Sequence, residues 1–121
     1  MNQEIFDLIF KRVEELGYRC YPFLPKEGTD YPFVVVGEVQ MLPKATKSFS
    51  VGEVNIFVHV WTDKTSRKKC QDMIRQVALA CHKFTSPHCW LLLSGNDRII
   101  ADNSTNDTLW HGILDLRYKF F

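Results

Sequence analysis

Two stretches of this chain alternate apolar and polar side chains with the period of a β-strand. In residues 54–61, Val54, Ile56, Val58 and Val60 interleave with Asn55, Phe57, His59 and Trp61. In residues 109–121, Trp110, Leu114, Leu116, Tyr118 and Phe120 interleave with His111, Asp115, Arg117 and Lys119. A period of two sends one set to a core and the other to the opposite face of a sheet. Such a chain builds a sheet covered on one side. The second face holds charges, imidazoles and aromatics, and it is the first place to look for function.

At 121 residues and 45% hydrophobic content, one domain spanning 1–121 with a real core is expected. Fifteen basic and 14 acidic residues leave a net charge of +1. That balance gives no general electrostatic reason to bind nucleic acid or an anionic membrane. No run approaches the roughly 20 apolar residues of a membrane span. Met1-Asn2-Gln3-Glu4 lacks the basic region and cleavage site of a signal peptide, so export is not expected. Cys20, Cys70, Cys81 and Cys89 are read as reduced thiols, because a chain this long and apolar needs no disulfide framework.

Along the chain, residues 3–16 read as a helix. Ile5, Phe6, Leu8, Ile9, Val13 and Leu16 form its apolar arc. Asn2 is a candidate N-cap, Glu4 suits the positive helix end, and Gly17 is the stop. Residues 31–40 and 51–62 read as long strands joined by a polar, basic loop over 41–50. Residues 65–84 read as a second helix, with Cys70, Met73, Ile74, Val77, Cys81 and Phe84 on one stripe. Strands at 89–93 and 98–102 flank a turn at Ser94-Gly95-Asn96-Asp97, and the last strand follows. The expected fold is α+β: a mostly antiparallel sheet with two helices packed on one face, in the order α-β-β-α-β-β-β.

Four constellations carry possible function. Cys81-His82 and His88-Cys89 are zinc-ligand types. Adjacent ligands on a helix point about 100° apart, and no C-x-x-C is present, so packing is the better reading and no metal is assigned. His59 and His111 lie on the polar faces of two strands, where an acid/base pair can be built. No G-x-S-x-G nucleophile and no glycine-rich phosphate loop accompany them. The alternative there is a polar face held by cross-strand pairs such as Glu53 or Glu38 with Arg117 or Lys119. Arg67, Lys68 and Lys69 open the second helix, where positive charge opposes the macrodipole at roughly 0.3–1 kcal/mol each. A local rule broken without local gain suggests a partner, although a solvated basic patch is the plainer account. Lys44, Lys47 and Phe49 in the 41–50 loop have the same two readings.

The order of short motifs resembles a known family. Tyr31-Pro32-Phe33-Val34-Val35-Val36-Gly37-Glu38 precedes a polar gap. His59-Val60-Trp61-Thr62 then runs into a helix opening with Arg67 and Lys68, and His111-Gly112-Ile113-Leu114-Asp115-Leu116-Arg117-Tyr118 closes the chain. This resembles the tail completion (tail terminator, or head–tail joining) proteins of long-tailed bacteriophages. The resemblance implies a non-enzymatic virion protein without cofactors. It implies a homo-oligomeric ring, usually a hexamer, that caps the tail tube and meets the head completion or neck protein. DNA passes through the lumen without sequence-specific contact. The implied location is the virion tail, with assembly in the bacterial host cytoplasm. Within that reading Lys44, Lys47, Phe49, Arg67, Lys68 and Lys69 are the expected partner contacts. The alternatives are a neck adaptor or stopper on the portal side, and a small enzyme using His59 and His111.

Overall fold

The computed structural model describes residues 2–26, 28–42, 52–64, 67–85, 88–103 and 108–121. The elements run α1 (Asn2–Glu15), β1 (Cys20–Tyr21), β2 (Phe33–Leu42), β3 (Gly52–Thr62), α2 (Arg67–Ala80), β4 (Lys83–Phe84), β5 (Trp90–Asp102) and β6 (Leu109–Phe120). The strands form one six-stranded sheet in the order β1-β2-β3-β6-β5-β4. The long strands β2, β3, β6 and β5 pair antiparallel along their lengths.

Alternation decides which face is buried. Val54, Ile56, Val58 and Val60 of β3 stand opposite Tyr118, Leu116, Leu114 and Gly112 of β6. Every side chain in that set is 2% exposed or less. Ile5, Ile9 and Val13 of α1 and Cys70, Met73, Ile74 and Val77 of α2 join them in one core. The helices therefore share one face of the sheet. Gly112 lets α2 sit close: a Cβ there would fall 2.3 Å from Ile74 Cδ1. Gly17 ends α1 with φ +93°, the left-handed conformation that glycine adopts without a Cβ penalty.

The sheet is mixed, which corrects the expectation of a mostly antiparallel one in the order α-β-β-α-β-β-β. Leaving α1, the chain lays Cys20 and Tyr21 parallel to Val34 and Val35. The 22–32 segment then returns it to enter β2 in the same direction. The second helix is also shorter than its apolar stripe suggested. It stops at Ala80, and Lys83 and Phe84 pair with Leu91 and Trp90 instead. The helix end is satisfied by side chains from elsewhere: Arg12 donates to the Ala80 carbonyl and Tyr118 to that of Cys81. His82 Nδ1 bonds the Leu79 carbonyl at 2.8 Å. With those carbonyls engaged, no further helical turn is required. Residues 94–97 make no turn either. They are part of β5, which follows β6 from Leu109 to Phe120 with one register shift between Leu92 and Ser94. Continuous pairing with β6 overrides local turn chemistry, as tertiary context commonly does for strands.

A carboxylate fastens the first helix to the far side of the sheet. Glu4 accepts from Trp90 Nε1 at 2.6 Å and from His88 Nδ1 at 3.0 Å. Burial pushes its pKa up, but the Trp90 and His88 bonds outweigh that and hold it below the ordinary value. All four cysteines are free thiols. Cys81 lies in the core, its thiol pushed by burial up to about 12. His88 is turned toward Glu4, so the zinc-type residues do not converge.

Candidate functional site

The open face of the sheet is built from β3 and β6 residues of the second parity. Glu53, Asn55, Phe57, His59 and Trp61 stand opposite Lys119, Arg117, Asp115, Ile113 and His111. Polar cross-strand contacts fill one half. Arg117 Nε donates to Glu53 Oε1 at 2.8 Å, and Asn55 Nδ2 to Asp115 Oδ1 at 2.7 Å. The Glu53–Arg117 pair is one of those the sequence offered.

The other half is aromatic and concave. His59 Nδ1 lies 2.9 Å from His111 Nε2, and Trp61 stacks on His111 with ring centroids 3.8 Å apart at 9°. Burial lowers the pKa of His59; burial and then the neighbouring His59 lower that of His111 to about 4. Both rings are neutral near pH 7, so one N–H donates to the other ring's bare nitrogen. A cavity of about 510 Å³ opens over the pair. Its walls include Phe23 and Leu24, which are 72% and 62% exposed. Gly37 completes it, since a Cβ there would meet the His59 ring at 3.2 Å.

The two histidines named from sequence are thus brought together beneath a hollow. What the site can do chemically is narrow. Depressed basicity makes His111 a poor base at neutral pH; Glu38 also lines the hollow, and among the described residues no serine or cysteine does. Trp61, Phe23 and Leu24 were missed as parts of this place. For Trp61 the signal was available, because it shares strand parity with His59. For Phe23 and Leu24 there was none, because the parallel β1 carries them there.

Arg67, Lys68 and Lys69 are exposed on the first turn of α2, which contains no acidic residue. The Arg67 guanidinium lies 6.0 Å from the centre of the Trp110 ring, within cation–π range. Lys44, Lys47 and Phe49 lie outside the described residues. The strands that anchor their loop end at Leu42 and resume at Gly52, whereas α2 follows the other end of β3 at Thr62. Eleven residues of β3 separate these two ends by about 33 Å at strand rise. The start of α2, with Arg67, Lys68 and Lys69, therefore follows the end of β3 that lies opposite Gly52.

Residues 16–118 match the family described as tail completion protein gp17. The chain belongs to that family. Family membership gives it a role in phage tail assembly, among the structural proteins of a virion. A chain from the virion of a native gene transfer agent particle shares the fold, with a TM-score of 0.65 at 14% identity over 95% of this chain and 90% of that one. A second solved structure matches with a TM-score of 0.59 at 10% identity, over 100% of this chain and 96% of the other. No curated protein sequence matches. No helix among the described residues is long and apolar enough to cross a membrane.

Proposed function

We propose that this family member is the subunit of a ring, six copies around, that caps the last ring of the tail tube and joins it to the neck. The role is structural rather than enzymatic, and DNA traverses the lumen without being read. The feature that supports this reading is the length of β3, which holds its two ends well apart. A capping ring needs one surface for the tube and another for the neck. Gly52 and Thr62, the two ends of β3, lie about 33 Å apart at strand rise, and α2 follows the second of them. Lys44, Lys47 and Phe49 are proposed to contact one partner and Arg67, Lys68 and Lys69 the other. Near-neutral net charge suits a conduit better than a DNA reader, which needs a dense basic face.

The test is Lys44→Glu with Lys47→Glu. The double variant should keep the wild-type circular dichroism spectrum and melting temperature but fail to join tails to heads. Normal tail lengths and full infectivity would refute the assignment. A neck adaptor on the portal side is the nearest other reading, and binding to portal rather than to tail tube protein would select it. The small-enzyme reading draws on the hollow over His59 and His111, and the low basicity of His111 weighs against it.

A further inference from the structure

The two long edges of the sheet are open. β4 covers β5 only at Trp90 and Leu91, and the Leu92 N–H donates to the His82 carbonyl. Among the described residues no strand lies beyond Leu93–Ala101 on that side. At the other end of the sheet, β1 covers β2 only at Val34 and Val35. From Gly37 to Leu42 that edge is bare of described strands too. Unpaired backbone along an edge is a template for another strand. Folded chains blunt such edges with proline, charge or bulges; these lengths hold Glu38, Asp97 and Arg98 and a register shift in each strand, but no proline or lysine. Exposed apolar side chains stand among them: Met41 is 42% exposed, Leu93 47% and Ile100 44%.

We propose that neighbouring copies in the ring are joined edge to edge, the free length of β5 pairing antiparallel with the free length of β2 on the next copy. The sheet then continues from subunit to subunit. This rests on the ring reading and specifies its interface. Strand direction supports it. Across β2, β3, β6 and β5 the direction alternates, so β2 and β5 run oppositely. Rotation about an axis along the strands preserves direction, so β5 meets the next β2 antiparallel, the stronger arrangement. One contact closes both edges and repeats head to tail, as a ring requires. Pairing of β5 with a second β5 would leave β2 open and stop at two copies.

The short strands set the stagger. Val35, His59, Ile113 and Arg98 share one level across the sheet. An unstaggered neighbour would drive the Arg98 end of β5 into β1. Sliding β5 toward the Leu42 end clears β1 and brings Ile100 beside Gln40 and Arg98 beside Leu42. Ile99 then meets Met41, and Ala101 meets Val39, on the helix side. Closed sheets require such a shear between strands.

Disulfide trapping tests this. Gln40→Cys is prepared in one batch, and Arg98→Cys or Ile100→Cys in another. Each is assembled alone and mixed, with and without tail tube protein, and oxidised, with unsubstituted protein as the baseline for the native thiols. Cross-linked dimers confined to the mixture support the proposal, and a chain bearing both substitutions should give a ladder up to ring size. Self-linking of Arg98→Cys or Ile100→Cys alone would show two-fold pairing and overturn it. A ring seen by light scattering with no cross-link in any mixture would overturn it and leave the ring reading standing. No ring, alone or on tubes, would overturn both. Ile100→Lys is the independent check. It should keep the native circular dichroism spectrum and lose the ring-sized species, and retention of the ring would count against the proposal.

Discussion

Substituting Gly112 by alanine should loosen the contact between α2 and the sheet. The added Cβ would lie 2.3 Å from Ile74 Cδ1, 3.0 Å from Ile74 Cγ1 and 3.0 Å from Cys70 Sγ. Carbon atoms pack at about 3.5–4.0 Å, so the nearest contact is too close by more than an ångström. Ile74 is 2% exposed and Cys70 0%, which leaves neither an empty direction in which to move. Overpacking of this kind costs about 1–3 kcal/mol. A 2.3 Å contact belongs at the upper end of that range, about 2–3 kcal/mol. Replacing a strand glycine returns about 0.5–1 kcal/mol through lost unfolded-state freedom. The net loss should be about 1–2.5 kcal/mol, a fall in melting temperature of roughly 4–10 °C for a chain of this size. Urea and thermal unfolding measure it. Gly95→Ala is the control, because its Cβ would find Leu116 Cδ2 at an ordinary 3.5 Å; it should be neutral or slightly stabilising. Ile74→Val removes the clashing Cδ1. It should cost about 0.5–1.5 kcal/mol alone but recover stability in the Gly112→Ala background, with a coupling of about 1 kcal/mol. A Gly112→Ala protein as stable as wild type, or strict additivity with Ile74→Val, would refute the argument.

Three further predictions concern charge. Glu4→Gln should cost about 1.5–3 kcal/mol, since bonds to a charged acceptor are lost; chemical denaturation at pH 7 checks it. Because the folded pKa of Glu4 lies below 4.5, its contribution is present above pH 4.5 and is lost as pH falls through the folded value. The substitution should flatten that limb of the stability profile. His59 and His111 are also depressed, His111 from 6.5 to about 4. The unfolded chain then binds more protons across that window, so stability falls as pH drops from 6.5 toward 4. His111→Asn should flatten this part of the denaturation midpoint plotted against pH. Arg117→Ala strips the Glu53 carboxylate, on a residue only 7% exposed, of its guanidinium bonds. It should cost about 1–3 kcal/mol, and Glu53→Gln in the same chain should recover part of the loss.

Period-two alternation made β3 and β6 readable from sequence, and with them the shared parity of His59 and His111. The motifs behind the family resemblance fall on β2, on the junction of β3 with α2, and on β6, within the 16–118 span that matches the family. The strands β1 and β4 were not readable, because two residues cannot display a period. Mixed pairing went unseen with them, as did the Phe23–Leu24 wall that β1 positions. Ser94-Gly95-Asn96-Asp97 misled for the opposite reason. Its local chemistry favours a turn, but the backbone partner supplied by β6 is non-local and leaves no trace in those four residues. The helix stripe ran past Ala80 because Phe84 is buried in either conformation, so apolar spacing alone could not find the end.

The central position of β6 also orders events in time. Among the described strands β3 and β5 meet only through it, yet it follows both of them in the chain. Before it docks, β2–β3 and β4–β5 are separate hairpin-like pieces, each with an edge that the native sheet will cover. Chains dominated by such distant pairings fold slowly, and exposed edges invite association with other chains. Newly made protein should therefore pass through a stage at which it is most prone to clump, one that ends when the last strand slots between its neighbours. Slow synthesis at low temperature should raise the soluble yield of this chain.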